Sequence, residues 1–176
     1  HYLDKHNPNG IGLYSSSDIV RANLSPSKYV SRSLNAKEIA KCKIKTDTVL
    51  IPCSGAYGGI MGHGILAGKM MDGKVVTQHV LRVARKSEEM NFYYIAAFLC
   101  SNNWGYHLIT ATRFGKDIPE IDPAVLRTIP IPEIPLYKQN EIGGLFKQAS
   151  ELQEQANELE NNAINLIESL YEDKLI

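Results

Sequence analysis

Ile142-Gly-Gly-Leu145-Phe-Lys-Gln-Ala149-Ser-Glu-Leu152-Gln-Glu-Gln-Ala156-Asn-Glu-Leu159-Glu-Asn-Asn-Ala163-Ile-Asn-Leu166-Ile-Glu-Ser-Leu170 is the stretch that decides the architecture. Its apolar residues Ile142, Leu145, Ala149, Leu152, Ala156, Leu159, Ala163, Leu166 and Leu170 recur in alternating steps of three and four. That is a heptad seam, with Ile142, Ala149, Ala156, Ala163 and Leu170 at a and the four other leucines at d. Alanine at a makes a shallow ridge, so a second helix can approach closely and leucine fills the space. A seam this regular is expected to bury itself against a partner, either a second copy or another subunit. The competing expectation is that it packs on the chain's own globular part. Phe146, Ile164, Ile167 and Tyr171 widen the stripe, so contact with both is also open. A helix from about residue 136 to 172 is roughly 50–55 Å long.

Working outward, 176 residues accommodate one globular domain, 1–135, followed by this helix, 136–176. No stretch approaches a membrane span, and the start does not read as a signal peptide. The chain begins at His1, which leaves open that it is a fragment. Cys42, Cys53 and Cys100 lack metal-type spacing and are odd in number. Reduced thiols and a cytoplasmic setting are expected, with the cysteines acting as small buried hydrophobes. The formal net charge of zero hides a split. Residues 1–116 hold 15 Lys+Arg against 7 Asp+Glu, and residues 117–176 hold 4 against 12. A basic domain can lie along a polyanion while an acidic helix stays off it.

The domain reads as mixed α/β, in an α+β arrangement. Residues 12–19 suggest a short strand and turn. Ser25-Pro26 suggests a helix start, and Asn35 with Glu38 a capping box for a helix over 36–43. Thr48-Val-Leu-Ile51 reads as a buried strand leading into the glycine-rich segment 54–64. Met71-Asp72-Gly73-Lys74 predicts a hairpin turn, with strand continuing from Val75 to Val83. Helices are expected from Ser87 through Leu99 and from Trp104 to Thr110. Prolines 119, 123, 130, 132 and 135 make residues 117–135 an extended strap.

Catalytic patterns are scarce. Gly68-Lys69, Gly73-Lys74 and Gly115-Lys116 are not followed by Ser or Thr, so no phosphate loop is present. No G-x-G-x-x-G opens a helix, the five histidines lack metalloprotease spacing, and the Asn-Pro-Pro-aromatic signature of amino methyltransferases is absent. Asp117, Glu120 and Asp122 are close enough for a metal site, but Asp122 before Pro123 reads as a helix cap. Glu172-Asp-Lys174 matches a loose nuclease triplet at the end of a solvated helix. The expectation is a chain without catalysis or cofactor of its own.

A binding surface remains. Lys43, Lys45, Lys69, Lys74, Arg113 and Lys116 supply charge, and Ser54, Tyr57, His63, Thr77, Gln78 and His79 are polar groups able to read bases. Gln reads adenine bidentately, and Arg or Lys reads guanine.

The order of segments resembles the specificity subunits of type I restriction–modification systems, as one target-recognition domain with its spacer helix. The matching blocks are residues 12–19, 44–58, 76–83, 94–101, 118–122 with 129–132, and the Gln139–Ile142 opening of the helix. They cover nearly the whole chain. Thr48, Ala56 and Pro132-Glu-Ile-Pro135 depart from the pattern, and the stretch before Gly12 is shorter than usual. The resemblance implies a module that reads one half of a split site in double-stranded DNA. Methyltransferase and restriction subunits would carry the chemistry. The chain would then be a half-subunit that dimerises, or the specificity end of a fused type IIG enzyme. A coiled-coil adaptor that binds only protein is the competing class.

Overall fold

The computed structural model describes residues 2–33, 36–56 and 58–172. The chain is α+β with a long C-terminal helix. Its strands are β1 (Tyr2–Leu3), β2 (Gly10–Tyr14), β3 (Lys28–Ser31), β4 (Val49–Pro52), β5 (Ile65–Leu66), β6 (Val75–Val76), β7 (Val80–Val83), β8 (Arg113–Phe114) and β9 (Glu120–Ile121). Its α-helices are α1 (Ala36–Cys42), α2 (Phe92–Leu99), α3 (Gly105–Ala111), α4 (Pro123–Leu126) and α5 (Leu136–Glu172). One sheet has the order β1-β3-β2-β6, a second β5-β4-β7, and β8 pairs with β9. Within the first sheet β2 and β6 are parallel; the other pairings in the three sheets are antiparallel.

Strand β4 organises the interior because its apolar run is continuous, so both of its faces can be buried. Side chains alternate across a strand. Val49, Ile51 and Cys53 join Phe92, Ala96, Leu99 and Ile109 of α2 and α3 in one cluster. Leu50 points the other way, into a cluster with Tyr14, Ile19, Ile44, Met71 and Val76. The Ser-Asp-Ile segment at 17–19 is structural. Asp18 is buried, its Oδ2 accepts from Ser15 N at 2.9 Å, Ser15 Oγ at 2.7 Å and Ser27 Oγ at 3.0 Å, and Arg21 meets its Oδ1 at 3.1 Å. Burial alone would raise its pKa; the Ser15, Ser27 and Arg21 contacts outweigh burial and hold it below the ordinary aspartate value.

Several local expectations give way to tertiary partners. No helix starts at Ser25-Pro26; Ser25 Oγ donates to Asn161 of α5 at 3.2 Å and the chain passes into β3. Met71–Lys74 contains the turn, with Gly73 at φ +72°, but not a hairpin, because β5 and β6 belong to different sheets. The strand expected over Val75–Val83 breaks after Val76, since Val76 pairs with Tyr14 while Val80 pairs with Pro52. Helix α2 starts after Asn91 rather than at Ser87: Asn91 Oδ1 accepts from Tyr93 N and Tyr94 N, while Glu88 is held by Arg85. The cap assigned to Asn35 lies outside the described residues, as do Asp173 and Lys174. Asp122 does cap α4. The proline strap is interrupted by β9 and α4.

Helix α5 runs 37 residues and meets its own domain along a polar face. Gly143 is where α5 crosses α2, because a Cβ there would stand 2.6 Å from Asn91 Oδ1. Gln139 is buried beside it, accepting from Asn91 N at 3.0 Å and donating to Ile134 O at 2.8 Å. Phe146 packs on the core. Farther along, Gln153 reaches Ala22 O at 3.3 Å, Asn23 reaches Glu160 at 2.9 Å, and Lys5 pairs with Glu168 at 2.8 Å. A cavity of about 320 Å³ lies under this half, lined by Ile19, Met70, Met71, Phe146 and Asn157 among others. The heptad seam is not used. Leu145, Leu152, Leu159, Leu166 and Leu170 are 57–70% exposed, so the expectation that the seam packs on the chain's own domain is overturned. Ile164, Ile167 and Tyr171 are also exposed; only Phe146 of the widening residues turns inward.

Candidate nucleic-acid interface

The C-terminal end of β4 gathers polar side chains from three distant segments. Beyond Pro52 the chain exits at Ser54, which bridges to Glu120 of β9. Backbone bonds from Ile121 N to Cys53 O, 2.8 Å, and Gly55 N to Pro119 O, 3.2 Å, fix the β8–β9 hairpin against this exit. The link between β6 and β7 arrives from the other side. Cys53 N donates to His79 O at 2.9 Å, and so does Ser16 Oγ at 3.0 Å, so the His79 backbone is held twice.

On this frame Ser54 Oγ lies 3.0 Å from His79 Nδ1 and donates to Glu120 Oε1 at 3.3 Å. Gln78 Nε2 lies 3.4 Å from His79 Nε2. Gln78, His79 and Glu120 are exposed, and Ser54 is half-buried. Arg113 and Lys116 are exposed on the same β8–β9 unit, with Arg113 Nη1 donating to Thr110 O at 2.9 Å. Phe114 and Ile118, also exposed, flank them. Thr77 is half-buried and its N–H is spent on Tyr14 O at 2.9 Å. His63 stacks on Tyr106 with ring centroids 4.4 Å apart, which makes it a fixed wall of the glycine-rich loop. Tyr57 lies outside the described residues.

The other lysines do not join this pole. Lys43 and Lys74 flank the start of β6, where Lys43 bridges Val75 and Ile44 N donates to Lys74 O at 2.8 Å. Lys74 is partly buried over the Tyr14 ring, and that burial lowers its pKa. Arg82 donates to the Lys43 and Lys41 carbonyls, holding this basic edge in place. Lys45 and Lys69 lie beyond the N-terminal end of β4, where Asp47 N and Ala67 O pair at 2.9 Å. Four residues of extended β4 already separate the two ends by about 13 Å.

The geometry is a cluster of exposed donors and acceptors on a fixed backbone frame. Ser54 sits between His79 and Glu120, so at this site the hydroxyl, and not the histidine, is the middle member of the three. Burial raises the pKa of Cys53 and pushes that of Cys100 up to about 12, as expected of packed thiols. Among the described residues no group of three His, Cys, Asp or Glu side chains is placed to hold a metal. Asp122 spends its carboxylate on α4 and Glu120 accepts from Ser54. Glu120 and Ser16 are the members sequence reading missed. Nothing local announces them, because Glu120's partner Ser54 is 66 residues away and Ser16's partner His79 is 63. Among the described residues no helix is long and apolar enough to cross a membrane. No protein-family model and no curated protein matches the chain.

Proposed function

We propose that the chain is a sequence-recognition module for double-stranded DNA, reading one half of a bipartite site within a restriction–modification system. The observation that carries this reading is the convergence of Ser54, Gln78 and His79 at one exposed pole, with Arg113 and Lys116 exposed on the β8–β9 unit that Glu120 ties to it. Gln and His offer paired donors and acceptors for base edges, and Arg and Lys offer phosphate or guanine contacts. Lys43 and Lys74, with Arg82, form a second basic edge suited to backbone contact. Methyltransferase and restriction subunits would supply the chemistry, whether as separate chains of a type I assembly or fused in a type IIG enzyme. The resemblance to specificity subunits points the same way, and the cytoplasm is the matching compartment.

Helix α5 serves the partner in this reading. Its seam pairs with a second helix, from a second copy or from another specificity half. Burying a leucine side chain is worth about 1.5–3 kcal/mol, so five leucines already more than half exposed retain most of that gain for an intermolecular contact. That same exposure is what favours the second reading, a coiled-coil adaptor whose globular part binds protein. Selection from random duplex DNA separates them. Enrichment of a sequence, with affinity falling steeply as salt rises, supports DNA recognition. No enrichment and salt-independent behaviour would leave the adaptor.

A further inference from the structure

The network at the β4 pole has a direction, and a carboxylate sets it. An ionised carboxylate offers only acceptors, so the Ser54 hydroxyl must spend its one proton on Glu120. Ser54 Oγ can then only accept from His79, which requires the ring proton on Nδ1. In the neutral form of that ring Nε2 is a bare acceptor, the form in which it can receive the amide nitrogen found beside it. The group 3.4 Å away is the Gln78 amide, which must therefore present N–H and not its carbonyl. Four side chains from three segments thus point one way, from Gln78 through His79 and Ser54 to Glu120. The frame under them is held by the Ser54–Glu120 backbone bridge and by two donors on His79 O, the Cys53 N–H and the Ser16 hydroxyl.

We infer that this relay presets Gln78 as an adenine reader and that Glu120 and His79 are positioning residues for it. This rests on the reading of the chain as a DNA-recognition module. An amide with one N–H taken by His79 keeps its carbonyl and its second N–H for an external partner. That donor–acceptor edge matches adenine N7 and N6–H₂ in the major groove. Guanine offers two acceptors there, N7 and O6, and meets the carbonyl with repulsion. Reversing the amide would restore donors to guanine but would set the carbonyl against the bare Nε2. The relay therefore opposes the wrong base through a group that never touches it.

The test uses the full chain, with binding selection on a random duplex library followed by competition with modified duplexes. The parent is expected to require an A·T pair at one position, and 7-deazaadenine there should weaken binding about tenfold. Gln78→Ala should bind the adenine and 7-deazaadenine duplexes equally. Glu120→Gln puts a group that can donate as well as accept where only an acceptor stood, so the direction of the Ser54 proton is no longer fixed and discrimination between A·T and G·C at that same pair should fall several-fold. Its thermal midpoint and salt slope should stay at the parent's values; His79→Ala serves as the independent second variant. Three results would overturn the inference while leaving DNA recognition standing. In the first, Gln78→Ala keeps every parental preference. In the second, Glu120→Gln alters a different base pair, making Glu120 a direct reader. In the third, Glu120→Gln and His79→Ala both leave A·T discrimination at the parental level. A parent that selects no sequence at all would instead overturn the DNA-recognition reading.

Discussion

Two adjacent glycines in α5 stand in opposite surroundings and report how the helix is seated. A Cβ on Gly143 would stand 2.6 Å from Asn91 Oδ1 and 3.0 Å from Tyr94 N, whereas on Gly144 it would meet nothing within 4 Å. Both lie inside the helix, so alanine gains about 0.8–1 kcal/mol of helix propensity at either. At Gly144 nothing opposes that gain, and Gly144→Ala should stabilise by about 1 kcal/mol. At Gly143 the methyl collides with the oxygen that caps α2, which accepts from Tyr93 N at 2.9 Å and Tyr94 N at 3.2 Å. Losing that cap costs about 1 kcal/mol, and forcing the helices apart adds about 1–3 kcal/mol. Gly143→Ala should therefore destabilise by about 1–3 kcal/mol net. The two variants should differ by about 2–4 kcal/mol, which for a chain of this size separates their melting temperatures by about 5–15 °C. Urea denaturation followed by far-ultraviolet circular dichroism measures the difference, with an unchanged m value as the check on two-state behaviour. If Gly143→Ala proves as stable as Gly144→Ala, α5 does not cross α2 at this contact and the account of its seating is wrong.

Other consequences follow from the same contacts. Asn157 is buried with Nδ2 unpartnered beside a largely apolar cavity, so Asn157→Leu should stabilise by about 1–2 kcal/mol in the same denaturation assay; a loss of stability would contradict the assignment. Asp18 has a depressed pKa in the fold, so its contribution is present above the ordinary aspartate value near 4 and is lost as pH falls through the folded value. Asp18→Asn should destabilise by about 2–4 kcal/mol at pH 7 and show a shallower acid limb; an acid limb identical to the parent's would mean other carboxylates dominate. Replacing Arg113 and Lys116 with alanine should weaken binding to all duplexes and reduce the salt slope by up to about 2, as titrations across salt would show. Ala156→Glu, at an exposed a position near the middle of the seam, should dissociate any α5-mediated dimer; sedimentation that finds the parent monomeric at tens of micromolar would assign the seam to a different partner.

Which features were legible in the sequence follows from how locally each is determined. Helix α5 was readable because residues 142–170 repeat one periodic signal. Strand β4 was readable because Thr48-Val-Leu-Ile51 is apolar without a break and ends in glycine-rich chain. The break at Thr77 was not readable, because Val75–Val83 is uniformly strand-forming and only the partners Tyr14 and Pro52 divide it between two sheets. The helix start at Asn91 lost out to the acidic pair Glu88-Glu89, although Asn is a strong cap, because the competing Arg85–Glu88 contact has no local signature. At the site, Gln78, His79 and Ser54 were chosen for their polarity, and the structure brings them together. Lys45 and Lys69 were chosen on the same ground and lie at the other end of β4. Polarity identifies which residues are able to read a surface, but not which of them share one.

The two faces of α5 explain why a helix so apolar on one side attaches to its domain by the other. Gly143, Phe146, Ser150, Gln153, Asn157 and Asn161 fall at heptad positions b, e and f, and the seam at a and d. At 3.6 residues per turn these faces are centred about 120° apart. The domain contact needs close approach and specific hydrogen bonds, which small and amide side chains provide: Gly143 at the α2 crossing, Asn161 on Ser25 and Asn23, Gln153 on the Ala22 carbonyl. Those bonds fix the rotation of α5 about its axis. A fixed rotation points the seam away from the domain without exposing the α2 crossing. A second helix can then occupy a and d while every domain contact persists, so association and seating are separable. The Ser54–His79 pole lies at the C-terminal end of β4, and its side-chain network involves no residue of α5. If the proposed function holds, a change confined to the seam alters how many poles are held together and at what separation, whereas a change in the Gln78–Glu120 relay alters what each pole selects.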